Sequence, residues 1–280
     1  MKARKTVCFL AVLLIASVPL ALAQGTYTQI DAPGSLETWI FGINTAGDMV
    51  GQYVDAGNKS HGFLLSGGVY TTIDYPAATS TSANGINDVG QIVGSTVGTG
   101  VRYDVQTQTF TEVRFPADGL FTVPFKINNA GTIVGWVHNF SESVFLGFSL
   151  TGKIYRKILP QGYTKSSVSG INNPGEILGN ASSGSQFLSF LLVQGKFRKI
   201  QLPTGSASAL GINDTRAVVG SYIARSGNTQ GFLLQNGVFQ PLIFPGLGST
   251  ISWAINNSGE VVGQFKDDNY LTHGFTWTKP

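Results

Sequence analysis

The groups in this 280-residue chain best able to do chemistry are three histidines, a few carboxylates and two tryptophans, several of them at repeating positions. His61 and His273 each begin a His-Gly-Phe tripeptide, and His138 follows Gly135-Trp136-Val137. Imidazole titrates near neutral pH and ligates metals, so these side chains offer general-base or metal chemistry. The competing reading is structural. Gln230 takes the His61 register in another repeat, and a metal site needs more converging ligands than one His per repeat. Asp267-Asp268-Asn269 offers oxygens to calcium without the alternating ligand spacing, and reads as a solvated loop tip. Asp31 and Asp74 stand at matching strand ends before proline, where they are expected to accept local backbone N–H groups. Trp39 and Trp253 precede equivalent turns. Exposed together they would stack on a pyranose; buried, they would be core between structural repeats. The binding candidates are therefore Trp39, Trp253, His61, His138 and His273, with no catalytic residue, metal or cofactor expected. No Gly-x-Ser-x-Gly elbow or phosphate loop occurs, and the separation of any carboxylate pair cannot be read from sequence.

What must position these groups is a repeat. Gly85-Ile86-Asn87-Asp88-Val89-Gly90-Gln91-Ile92-Val93-Gly94 recurs in near-copy from Gly42, Lys126, Gly170, Gly211 and Ala254. In each copy an Asn (Asn44, Asn87, Asn128, Asn172, Asn213 or Asn256) is followed six residues later by Val or Leu and seven later by Gly. Asn suits the first corner of a tight turn, Gly the fourth, and short β-branched arms flank them, so the motif reads as strand–turn–strand. Arg216 replaces the turn Gly in one copy, and left-handed geometry there would cost roughly 1 kcal/mol. A second hairpin follows each first one, most clearly Gly62-Phe63-Leu64-Leu65 before Val69 to Ile73. Pro33, Pro76, Pro116, Pro160, Pro203 and Pro245 mark the strand exits at intervals of 40 to 44 residues.

Four short strands in roughly 40–45 residues is the arithmetic of a propeller blade. The sixth repeat stops at Pro280 without a fourth strand, while Thr26 to Asp31 supplies one ahead of the first repeat. The spacing predicts an all-β, six-bladed β-propeller of four-stranded blades, closed by the N-terminal strand completing the last blade. Closure would remove two exposed sheet edges. Residues 24–280 form its single domain, with repeats near 34–76, 77–116, 117–160, 161–203, 204–245, and 246–280 plus 24–33.

Residues 1–23 have the basic start, apolar run and Ala21-Leu22-Ala23 ending of a secretory signal peptide, too short for a comfortable membrane span. Three of the 18 basic residues lie there, leaving 15 against 15 acidic ones, so nothing points to nucleic acid. The only Cys, Cys8, also lies there, which excludes disulfides and thiolate chemistry from the mature chain. Secretion to the periplasm or outside the cell is expected, with no membrane span after cleavage.

His61-Gly62-Phe63 and His273-Gly274-Phe275 resemble the His-Ala-Phe signature of bacterial extracellular HAF-repeat proteins, as Gly-Ile-Asn-x-x-Gly-x-Val-Gly resembles their other hallmark. The resemblance spans essentially the whole mature chain, departing where four repeats lack the His and Gly replaces Ala. It implies secretion and repetition, and no particular activity.

Uniform turns on one face of the ring and varied loops on the other suggest that the varied face binds. The function expected is a non-enzymatic binding or interaction module for an extracellular ligand, carbohydrate or protein. The alternative is a carbohydrate-active enzyme, glycoside hydrolase or lyase, with carboxylates at the channel mouth.

Overall fold

The computed structural model describes residues 25–280, except 142, 203–206 and 247. The expected leader lies outside these residues, as does Pro203. The described chain is arranged as six antiparallel sheets of four strands, and no helix occurs among the described residues. Five sheets use consecutive strands. The sixth joins Thr26–Ile30 to Thr250–Ile255, Val261–Lys266 and Thr272–Thr278. Thr26 pairs with Thr278 and Ile30 with Gly274, so the N-terminal strand closes the ring as the repeat count requires.

Each Asn turn is built as its residue types dictate. The Gly47 N–H donates to the Asn44 carbonyl (3.2 Å), and the Asn44 side-chain oxygen caps the Asp48 N–H (2.9 Å). Gly47 sits at φ +87°, and Arg216 holds the equivalent left-handed place at +61°. The closing Gly has another cause. A Cβ at Gly51 would lie 1.9 Å from the Trp39 carbonyl, and one at Gly94 2.0 Å from that of Ser82, because the first and second strands press together there.

The first strand of every blade carries a register shift against the second, and first strands contact one another around the axis. A bulge re-aims one side chain. The residues so placed are Phe41, Asn84, Phe125, Ser169, Leu210 and Trp253. Between blades, the repeating Phe63, Phe148, Phe190, Phe232 and Phe275 are wholly buried and supply the core.

A second repeating device escaped the sequence reading. Thr38, Thr81, Thr122 and Thr250 each stand six residues before the turn Asn, and are buried. Their hydroxyls accept the N–H groups of Ala32, Tyr75, Phe115 and Phe244, tying a blade's exit to the next blade's entry at four of the six junctions.

Candidate functional site

The six Asn turns surround one end of the central channel, where two concentric belts of hydrogen bonds form. In the inner belt the amides of Asn87, Asn128, Asn172, Asn213 and Asn256 donate to the carbonyl of the equivalent Asn in the following blade, at 3.0–3.3 Å. The Asn44 amide donates to Asp48 (2.9 Å), as those of Asn87 and Asn172 also do to Gln91 and Glu176 of their own turns.

The outer belt uses the next residue in each turn: Thr45, Asp88, Asn129, Asn173, Asp214 and Asn257. The Thr45 N–H donates to Asp88 Oδ1 (2.8 Å) and the Asp88 N–H to Asn129 Oδ1 (2.9 Å). The pattern continues through Asn173 and Asp214 to Asn257. Asp88 Oδ2 also accepts Thr45 Oγ1 and Asn129 Nδ2, while Asp214 Oδ2 accepts Asn173 Nδ2 and Asn257 Nδ2.

These turns line a cavity of about 70 Å³ at the mouth. Blades two and five are opposite in a ring of six, so Asp88 and Asp214 face each other across it. Desolvation raises the Asp88 pKa, but donation from Asn129 and Thr45 outweighs it and holds the carboxyl below its ordinary value. Each carboxylate offers about four acceptor positions. Three are filled by the belt, so Oδ1 of each can take one more donor. The amides of Asn129, Asn173 and Asn257 each keep a second N–H. Sequence reading passed over this site because Thr, Asp and Asn all serve the outer belt. The signal was there: the only two Asp residues at this register stand three repeats apart.

Deeper in, six isoleucines (Ile43, Ile86, Ile127, Ile171, Ile212 and Ile255) ring the axis, followed by a level of small residues in which Lys126 is the exception. At the bulge level Trp253 sets its edge against Phe41 (5.5 Å) and Phe125 (5.9 Å) and plugs the channel from three blades.

The structure separates the residues that the sequence singled out. Trp253 is half-buried in that plug, with Nε1 donating to Gln264 (2.8 Å). Trp39 is half-buried in register with Gln52 on the first blade, and no ring contact joins the two tryptophans among the described residues. His61 lies on a third strand, away from the axis. Its Nδ1 meets Asp74 (2.7 Å), its Nε2 meets Asp55 (3.2 Å), and Tyr53 stacks on the ring (5.0 Å). The Lys59 N–H, then His61, holds the Asp55 carboxyl below its usual value. His273 repeats the device with Asp31 (3.0 Å), Asp267 (3.7 Å) and a stacked Phe265 (5.2 Å). Asp31 and Asp74 thus pair with imidazoles rather than backbone N–H groups, because the third-strand His lies beside the fourth-strand exit. Asp267 caps the Asn269 and Leu271 N–H groups, as a loop tip does. His138 lies between Phe121 and Phe145 with Nδ1 by the Asn139 carbonyl. No cluster of three His, Cys, Asp or Glu suited to a metal occurs among the described residues.

No protein-family model matches the sequence, and no curated protein matches it. Solved structures match the ring. A gluconolactonase from Xanthomonas campestris is 12% identical, with 92% of this chain and 91% of that one covered at a TM-score of 0.56. A putative gluconolactonase is 10% identical, with 91% and 93% covered at 0.57. The calcium-binding protein regucalcin from Agrobacterium tumefaciens is 12% identical, with 91% and 95% covered at 0.56. At such identities the likeness is one of fold: this chain is a six-bladed β-propeller. The expectation of a non-enzymatic module is nevertheless corrected. It rested on the lack of a recognisable catalytic constellation in the sequence, and the same ring carries enzymes named as gluconolactonases, so that lack is no argument against catalysis.

Proposed function

We propose that this protein is a carbohydrate-active hydrolase whose site is the channel mouth inside the Asn turns. One observation carries the reading: Asp88 and Asp214 face the same polar cavity from opposite blades, each held by donors from neighbouring turns. A carboxylate kept ionised is a base for water or a stabiliser of positive charge developing at an anomeric carbon. The spare amide N–H groups of Asn129, Asn173 and Asn257 suit an ester or ring oxygen, and the open Oδ1 positions suit sugar hydroxyls. Donors and acceptors mixed around one rim match a polyhydroxylated substrate better than an apolar one. The gluconolactonases among the structural neighbours support sugar lactones as the first substrates to try. We further read the chain as an exported repeat protein of the HAF kind, supported by its leader-like start and its His-Gly-Phe tripeptides.

The test is a hydrolysis assay of the purified protein on aldonolactones and aryl glycosides. Turnover above the spontaneous rate on either class supports the reading. Absence of turnover on both, from protein that melts cooperatively, overturns it.

A further inference from the structure

Lys126 is a channel side chain that the proposed reaction does not use. At its register the other repeats hold Gly42, Gly85, Gly170, Gly211 and Ala254, so the ring is built for a small residue there. The lysine is 9% exposed, and its Nζ donates to the Phe41 carbonyl (2.6 Å) and the Asn84 carbonyl (2.9 Å), in the two blades that precede its own. The Phe125 ring lies 4.0 Å from Nζ. Among the described residues no Asp or Glu pairs with it, and no charged group on the strands packed around it compensates its charge. Two carbonyl acceptors match the two N–H donors of a neutral amine, whereas the third donor of an ammonium would meet only the Phe125 ring face. Burial lowers its pKa to about 7, and lysines desolvated in this way serve as nucleophiles. Beside it the channel holds a cavity of about 70 Å³, against roughly 10–15 Å³ for one water on this measure. The isoleucine ring separates this cavity from the mouth.

We propose that Lys126 is a covalent carbonyl-capture site, taking a small aldehyde of two or three carbons as a Schiff base inside the channel. The Nζ lone pair attacks the carbonyl carbon, the amine proton passes to the oxygen, and the carbinolamine loses one water to leave an imine. No oxidant or reductant is consumed. The site is independent of Asp88 and Asp214, and stands or falls without them.

The full-length protein is incubated with glycolaldehyde and cyanoborohydride near neutral pH, and adducts are mapped by peptide mass spectrometry. The exposed Lys59 and Lys153 serve as internal references. The expected result is an adduct at Lys126 formed faster than at the references, by on the order of tenfold or more, because far more of it is neutral. A Lys126→Met variant loses that adduct and keeps the others. If the variant fails to fold, the wild-type pH profile decides. Labelling of Lys126 with a midpoint near 7 supports the site. A midpoint near that of ordinary lysine, or no adduct at Lys126 while the references react, overturns it.

Discussion

The Asn256 side-chain amide donates to the Asn44 carbonyl at 3.2 Å, joining the last Asn turn to the first across 212 residues. The same side chain caps the N–H groups of Ser258 (3.1 Å) and Glu260 (2.9 Å), so one residue both shapes its turn and fastens the ring. Asn256→Ala removes all three bonds in a buried place and is expected to cost about 2–3 kcal/mol. Urea unfolding measures this; a midpoint within a few tenths of wild type would show that the belt contributes nothing.

Deleting residues 25–33 removes the closing strand and its five-residue ladder from Thr26 to Ile30. The edge of the sixth blade is exposed, and the buried Phe275 and Trp277 lose cover from Tyr27. A lower melting temperature and concentration-dependent association through the free edge are expected. An unchanged melting temperature contradicts the closure argument.

Arg216 reverses an expectation drawn from sequence. Its positive φ alone predicts a small gain on mutation to Gly. The structure adds a partner: Arg216 Nε donates to Glu176 Oε1 and Oε2 at 3.0 and 2.9 Å, and Glu176 is buried. Arg216→Gly is therefore expected to be destabilising rather than stabilising, with part of the loss recovered in the double variant with Glu176→Gln. Donation from Arg216 lowers the folded pKa of Glu176. That contribution is present above the unfolded carboxylate pKa and is lost as pH falls through the folded one. The gap between wild type and Arg216→Gly should thus close in acid, below about pH 4. A gap independent of pH would refute the assignment.

Lys126 predicts a slope of the same sign in an alkaline window. Its folded pKa of about 7 lies below the unfolded value of about 10.4, so between them the unfolded chain binds more protons. Stability should rise by a few kcal/mol from about pH 7 to 10, as the cost of a buried charge is relieved. Lys126→Met should flatten that rise. An equal rise in both proteins would assign it elsewhere.

His61 and His273 have both ring nitrogens engaged by carboxylates of the chain itself. His61→Ala and His273→Ala are expected to lower the melting temperature without changing turnover. A hundredfold loss of activity in either would move the site to the outer strands.

The ring was legible because its causes are local and repeated. An Asn turn and β-branched arms specify a hairpin, and a missing last strand with a spare first one specifies closure. The roles of the Asn side chains beyond their own turns were not legible, since the carbonyl that Asn87 reaches belongs to Asn128, 41 residues away. Nor was the mouth. Asp88 looks like ordinary drift between Thr45 and Asn129 until the sixfold ring sets it opposite Asp214. Lys126 was visible as a Lys in a Gly register, but its burial depends on Phe41 and Asn84 in other blades.

Catalysis at the channel mouth is tested by kcat/KM of Asp88→Asn, Asp214→Asn and the double variant on the substrate that wild type turns over. Each Asn keeps a side-chain oxygen for the outer belt, so the circular dichroism spectrum should be retained. A loss of about 10²–10⁴-fold is expected in at least one single variant and in the double, carried mainly by kcat. A double variant that folds and keeps wild-type kcat/KM would contradict it.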